Sequence, residues 1–355
     1  MTYVLAGDIG GTRARFALFQ VTKAPRLVHQ DVLESGSFKT FRAALGQFLD
    51  MSAREAVGSK VRVSSATFGI AGPVVEQRVK TTNLPWVIDA SKVSREFSIP
   101  KVTLFNDLVA AGLGAIASPP NGLAVVHKGR PKNVGGNLAV IAAGTGLGEA
   151  GFIWDGEQHV ACATEGGHVD FAPRNVVEDE LLGTLRQEHG RVSYERVISG
   201  STISTIYRFF VQHKRMKETK QVGAFLASAD DPNVAVVELA TSGRSEAAMS
   251  AIDTWSGVYG SEAGNLALKY LATGGVYLCG GVSAGLASVF AKGLPGRPKK
   301  GLSPFLEGFL AKGRMRPLLE AIPVAVCLEP RAGLLGAASL PRSGGRKRPD
   351  ASLIF

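Results

Sequence analysis

Asp107, with Asn106 before it, follows the strand-patterned run Lys101-Val102-Thr103-Leu104-Phe105 and opens a helix-patterned stretch from Leu108 to Ala117. Ligands of α/β proteins gather beyond the carboxyl ends of strands, which is where an acid at such a junction points. A carboxylate hydrogen-bonded there to a substrate hydroxyl can take its proton as a phosphoryl group is transferred. Such general-base help is worth about 10²–10⁴-fold. The plainer role for the same residue is an N-cap on the helix that follows. Asn106 beside it adds a second polar group able to hold a hydroxyl.

Two glycine turns offer a different chemistry. Gly7-Asp8-Ile9-Gly10-Gly11-Thr12 ends the apolar run from Tyr3 and leads into Ala14–Phe19, whose alternation predicts a second strand. Gly144-Thr145-Gly146-Leu147-Gly148 follows the apolar run Leu138–Ala143 and precedes a strand at Gly151–Trp154. Backbone amides in such turns approach an anion closely because no Cβ stands between. Thr12 adds a hydroxyl donor, and Asp8 a carboxylate able to hold a phosphate-bound magnesium ion, directly or through water. One turn near the start of each half suggests a nucleoside triphosphate lying in a cleft between two related domains. Neither turn is a Walker A loop, since no Gly-Lys-Ser or Gly-Lys-Thr follows. Strand rather than helix after the first turn also fits a dinucleotide fingerprint poorly.

A third segment, Thr164-Glu165-Gly166-Gly167-His168-Val169-Asp170-Phe171, gathers a carboxylate and an imidazole around two glycines. Glu165 can accept from vicinal hydroxyls, and a neutral His168 can donate one hydrogen bond and accept another. The Glu-x-x-His spacing also suits two metal ligands, or a histidine satisfied within its own loop. Glu195 stands beside Arg196 and reads by itself as half of a surface charge pair.

These groups need a scaffold, and 355 residues exceed what one hydrophobic core usually serves. Strands alternate with helices from the start. Helical spacing covers Thr40–Arg54, and Val61–Ile70 reads as a strand; Asp89 caps a short helix before Pro100. The pattern restarts at Asn137, and helices follow around Val176–Glu188, Ser201–Val211, Val234–Leu239 and Glu246–Tyr270. A final strand at Val276–Cys279 and, after Pro323-Val324-Ala325-Val326, a small-residue helix at Gly333–Ala338 complete an α/β chain. The expected division is a smaller domain of residues 1–109 with about 331–342, a larger one of 110–330, and a flexible basic tail at 343–355.

Composition narrows the class. No apolar stretch approaches the roughly 18 residues of a membrane span, and no basic-then-apolar leader precedes Asp8, so a cytoplasmic protein is expected. Cys162, Cys279 and Cys327 are separated and in apolar surroundings, which favours buried free thiols. The net charge of +10 gathers at Lys292–Lys300, Lys312–Arg316 and Arg342–Arg348 without interleaved aromatics. Nucleic acid is therefore not the expected partner, though a positive field would draw in anionic substrates.

Taken together these segments resemble the bacterial glucokinases of the hexokinase–actin-like ATPase superfamily. The matching motifs are Gly7–Thr12, Phe105-Asn106-Asp107-Leu108, Gly144–Gly148, Glu165–Pro173, Glu195-Arg196-Val197-Ile198-Ser199-Gly200 and Gly280-Gly281-Val282. They fall in the family's order over roughly Tyr3–Leu340. The resemblance implies two ribonuclease-H-like domains that flank a cleft and close over a sugar. It makes Asp107 the base acting on the 6-hydroxyl and Asn106, Glu165, His168 and Glu195 the sugar ligands. It gives the ATP phosphates to the turns Gly7-Asp8-Ile9-Gly10-Gly11-Thr12 and Gly144-Thr145-Gly146, and places Gly280-Gly281 near the adenosine. It also implies a homodimer and, without the zinc-binding cysteine cluster of the related repressor–kinases, no zinc. Thr82–Trp86 resembles a loop near the sugar pocket, with Trp86 as core the alternative. Arg13 departs from the asparagine of many relatives. The expected reaction is ATP- and magnesium-dependent phosphorylation of D-glucose to glucose 6-phosphate. Another hexose, another phosphoryl donor, or a non-catalytic sugar sensor are the rival readings.

Overall fold

A computed structural model describes residues 2–20, 26–59, 61–81, 84–130, 135–297 and 301–339. The sequence readings at Thr82, Asn83 and the 343–355 tail lie outside them. The chain forms two compact units: residues up to Gly122 with Gly156–Ala163 and the return from Glu329, and Leu123–Asp155 with Thr164–Leu328.

In the first unit, β1 (Tyr3–Ile9), β2 (Arg13–Gln20) and β3 (Arg26–Glu34) are followed by α1 (Phe41–Ser52) and β4 (Val63–Ile70). A small ladder of β5 (Arg78–Lys80) and β6 (Val87–Asp89) precedes α2 (Ala90–Phe97), β7 (Lys101–Asn106) and α3 (Asp107–Ile116). The main sheet runs β3-β2-β1-β4-β7. Its hairpins are antiparallel, whereas β1, β4 and β7 are parallel. Leu5, Phe16, Phe68 and Trp86 are fully buried in one core with Phe48 of α1 and Val93 of α2. Trp86 is core, with its indole N–H donating to Phe38 O at 3.0 Å. Asp89 caps α2 by accepting from Lys92 N at 3.0 Å. Strand β3 shows no apolar alternation, its Leu27-Val28 and Val32-Leu33 standing in pairs, because it is a half-exposed edge whose only buried side chain is Leu33.

A C-terminal helix, Ala332–Ser339, returns to this unit and lies along α3. Their backbones touch: a β-carbon on Gly336 would overlap Ala110 O, and one on Gly114 would overlap Ala332 O. The run of small residues at 332–338 is what allows that approach.

The second unit holds β8 (Leu123–His127), β9 (Leu138–Ala143), β10 (Leu147–Trp154), β12 (Gly275–Cys279) and β13 (Val324–Cys327), ordered β10-β9-β12-β13-β8. Strand β11 (His159–Thr164) begins within the segment that groups with the first unit. The antiparallel β10-β9 hairpin followed by parallel β12 and β13 repeats the β2-β1-β4-β7 arrangement. This repetition is the structural form of the restart at Asn137. Helices α4 (Val176–His189), α5 (Glu195–Ile198), α6 (Ile203–Gln212), α7 (Lys220–Ala227), α8 (Pro232–Thr241), α9 (Glu246–Lys269), α10 (Gly281–Gly285), α11 (Ala287–Lys292), α12 (Pro304–Leu310) and α13 (Arg316–Ala321) surround it. Trp255 and Tyr259 of α9 pack with Phe290 and Phe305 at its centre.

Two sequence expectations need correcting. Strand β10 starts at Leu147, not Gly151, so the second glycine turn shrinks to Gly144-Thr145-Gly146, and Leu147 pairs back onto Ala143. Cys279 and Cys327 are buried free thiols as expected, but Cys162 is exposed. It sits on β11, whose side chains are mostly solvated despite the small apolar residues around it.

Candidate active site

Strand β7 ends in Asn106, and the chain turns into α3 at Asp107. The capping role falls to Asn106, whose Oδ1 accepts from Leu108 N at 2.9 Å while Nδ2 donates to Gly72 O at 3.3 Å. Asp107 Oδ1 shares the same Leu108 N–H at 2.9 Å. One carboxylate oxygen is thereby anchored to the helix start, which fixes the direction of a half-buried acid at a strand end.

The first glycine turn is braced from β3 and its exit. Gly10 N donates to Arg13 O at 2.9 Å, Ser35 Oγ to Gly10 O at 2.9 Å, and Ser35 N to Thr12 O at 3.0 Å. Gly10, Gly11 and Thr12 form the turn itself. Gly7 and Ile9 lie buried within β1, Gly7 against the Phe68 ring. Asp8, also in β1, is held by Arg15 at 3.0 Å and packed under Gly333. Burial pushes its carboxyl above the usual carboxylate range, and the Arg15 guanidinium opposes that shift.

In the second unit the structure gathers residues that the sequence holds apart. Gly144 N donates to Gly146 O at 2.9 Å, Gly200 N to Gly144 O at 2.7 Å, and Ser201 Oγ to Thr145 O at 3.0 Å. Glu195, on α5, accepts from Leu147 N at 2.9 Å and lies directly against Gly146. Its other oxygen stands 3.8 Å from His168 Nδ1. Glu195 therefore faces inward to the glycine turn. The 165–168 loop is tied by His168 N to Glu165 O at 3.0 Å. Arg191 bonds His168 O at 2.8 and 3.0 Å and Asp170 Oδ1 at 2.6 Å. Glu165 itself is exposed at the loop's start. Gly280 has φ +90°, and a side chain there would strike Ala143 O, so only glycine suits the exit of β12 beside the turn.

These parts fit an ATP-type ligand. Gly144 has open space where a β-carbon would sit, and Gly144, Thr145, Gly280 and Gly281 are solvent-facing. Among the described residues no three His, Cys, Asp or Glu side chains cluster as a metal cage. A magnesium ion bound through one carboxylate and substrate phosphates needs no such cage, and Asp8 is suited to that part. Sequence reasoning missed Arg15, Ser35, Arg191 and Ser201. Arg15 acts across the β1–β2 hairpin on Asp8, and the others act on backbone or on partners more than twenty positions away.

The glucokinase family model matches residues 5–343. The chain is 37% identical over 352 residues to a glucokinase of Trichormus variabilis, covering 95% of this chain and 98% of the relative. It is 33% identical over 345 residues to a glucokinase of Caulobacter vibrioides, covering 96% of each. A crystal structure of a glucokinase from an Antarctic psychrotroph superposes with a TM-score of 0.76 at 28% identity, covering 95% and 97% of the two chains. A ROK family glucokinase from Streptomyces griseus, solved with glucose and AMPPNP, shares the fold with a TM-score of 0.63 at 20% identity over 96% and 100% of the chains. With its α/β units each built on one repeated sheet pattern, the chain belongs to the glucokinase family.

Proposed function

We propose that this protein phosphorylates D-glucose at its 6-hydroxyl with ATP, giving glucose 6-phosphate. The observation that carries the reading is the joining of Glu195 to both His168 and the Gly144–Gly146 turn. A polyol held by the first pair would then lie beside a phosphate held by the second. When bound, ATP with magnesium supplies the phosphoryl group. Asp107 takes the 6-hydroxyl proton on its carboxylate, and Asn106, Glu165, His168 and Glu195 hold the other hydroxyls. Asn106 does so while capping α3, which fixes its side chain for the purpose. The turns at Gly10–Thr12 and Gly144–Gly146 neutralise and aim the phosphates, and Asp8, oriented by Arg15, serves the magnesium ion. Gly280 and Gly281 lie on the adenosine side.

The test is turnover with ATP and glucose, mannose, fructose or N-acetylglucosamine, compared as kcat/KM. Glucose is expected to lead. Equal or better use of another sugar would transfer the assignment to that sugar, and turnover with none of them would overturn the kinase reading.

A further inference from the structure

Glu149 is a buried carboxyl that the proposed reaction does not use. It follows the second glycine turn on β10, is 1% exposed, and points beneath the 165–168 loop. A β-carbon on Gly166 would overlap its Oε2, so the carboxyl occupies the space a side chain there would fill. Among the described residues no donor reaches either Glu149 oxygen. Its neighbour is the carboxyl of Glu262 on α9, which is fully buried and within hydrogen-bonding reach. Two carboxyls bond to each other only if one carries a proton.

The surroundings decide which one. Glu262 accepts from Asn265 Nδ2 at 2.8 Å and Lys269 Nζ at 3.2 Å, both on α9, and the Tyr194 hydroxyl lies near it. Lys312 also faces it, donating to Ser261 O, Ser261 Oγ and Asn265 Oδ1 at 2.9, 3.2 and 2.6 Å, with Arg174 beyond. These donors and cations gather on the Glu262 side of the pair. Around Glu149 stand Glu262, Lys269 and Tyr259, and beside the same Gly166 position the Thr164 hydroxyl, which accepts from Gly166 N. The proton therefore resides on Glu149. Burial first, then the Glu262 charge, push its carboxyl up to about 8.

We propose that Glu149 is a positioning residue for sugar binding: its neutral carboxyl donates to Glu262 and supports the Gly166 backbone, keeping Glu165 and His168 presented to the sugar. This rests on the glucokinase reading above. Above about pH 8 the proton leaves, two buried carboxylates face each other under the loop, and the loop shifts to separate or hydrate them. Glucose affinity then falls, while the chemical step at Asp107 is little changed.

The experiment measures KM and kcat for glucose on both sides of that pH in wild type, Glu149→Gln and Glu149→Ala. An infrared titration of the protonated carboxyl band accompanies it. Glutamine mimics the protonated acid, donating to Glu262 without a titrating group. Wild-type KM is expected to rise several-fold through that range with kcat nearly flat. Glu149→Gln should match wild-type KM below it and stay flat above it, and Glu149→Ala should have a raised KM at every pH. The infrared band should vanish with alkalinity in wild type and lose that component in Glu149→Gln. A rise in KM that persists in Glu149→Gln would overturn the proposal. So would a stably folded Glu149→Gln with a much higher KM below that pH, or a band unchanged by the substitution. A wild-type protein that neither binds nor turns over glucose at any pH would overturn the glucokinase reading instead, and the infrared titration tells that failure apart.

Discussion

At the scale of single residues, Glu195 joins two halves of a chemistry. One oxygen bonds the Leu147 amide at the glycine turn and the other faces His168 at 3.8 Å. Hydrogen bonds to an ionised group are worth about 1.5–3 kcal/mol, which converts to roughly 10–100-fold in affinity. Glu195→Ala should therefore raise KM for ATP as well as for glucose, by roughly tenfold or more each. Glu195→Gln, which keeps an acceptor for Leu147, should spare the ATP term. A Glu195→Ala enzyme with wild-type KM for ATP would show that the turn does not depend on this contact. Nothing next to Glu195 in the sequence announces this, since Arg196 beside it suggests an ordinary surface pair. The placement of Asp107 between β7 and α3 was legible because its signal is local: an apolar strand, an acid, then a helix. Glu149 was not, because its significance comes from burial and from Glu262, more than a hundred positions away.

At the scale of elements, the strands and helices with strong periodicity fall close to where their apolar spacing puts them. Thr40–Arg54 becomes α1 at Phe41–Ser52, and Glu246–Tyr270 becomes α9 at Glu246–Lys269. What the spacing hides are elements without a buried stripe, such as β3, and strands that start on glycine or leucine inside a presumed turn, such as β10. Backbone-to-backbone packing is equally hidden, yet it sets how the C-terminal helix docks. Gly336→Ala should drive a methyl into Ala110 O and destabilise the fold by about 1–3 kcal/mol. Gly183→Ala makes the same chemical change on the exposed face of α4, where a β-carbon meets nothing, and should stabilise by about 0.5–1 kcal/mol. Denaturant unfolding of both variants checks the pair. Equal effects would mean that the helix contact with Ala110 is not tight in solution.

At the scale of the whole molecule, one sheet pattern is used twice: an antiparallel hairpin at a glycine turn, then two parallel strands. In the first unit that plan sets Asp8 near the turn and Asp107 at the end of the outermost parallel strand. In the second it sets Gly144–Gly146 and the contacts of Glu195. A single plan thus places a glycine turn at the hairpin of both units, and in the first it carries Asn106 and Asp107 from the outermost parallel strand into α3. No helix among the described residues is long and apolar enough to cross a membrane. With Asp107 proposed as the base, the chemistry, as distinct from binding, should depend on it. The most direct test is the rate of glucose 6-phosphate formation from ATP, magnesium and glucose by wild type and Asp107→Ala, with glucose binding followed by the rise in Tm it causes. Wild type should turn over, and the variant should lose about 10²–10⁴-fold in kcat while keeping the glucose-induced rise in Tm. A variant with near-normal kcat would contradict the assignment of Asp107 as the base.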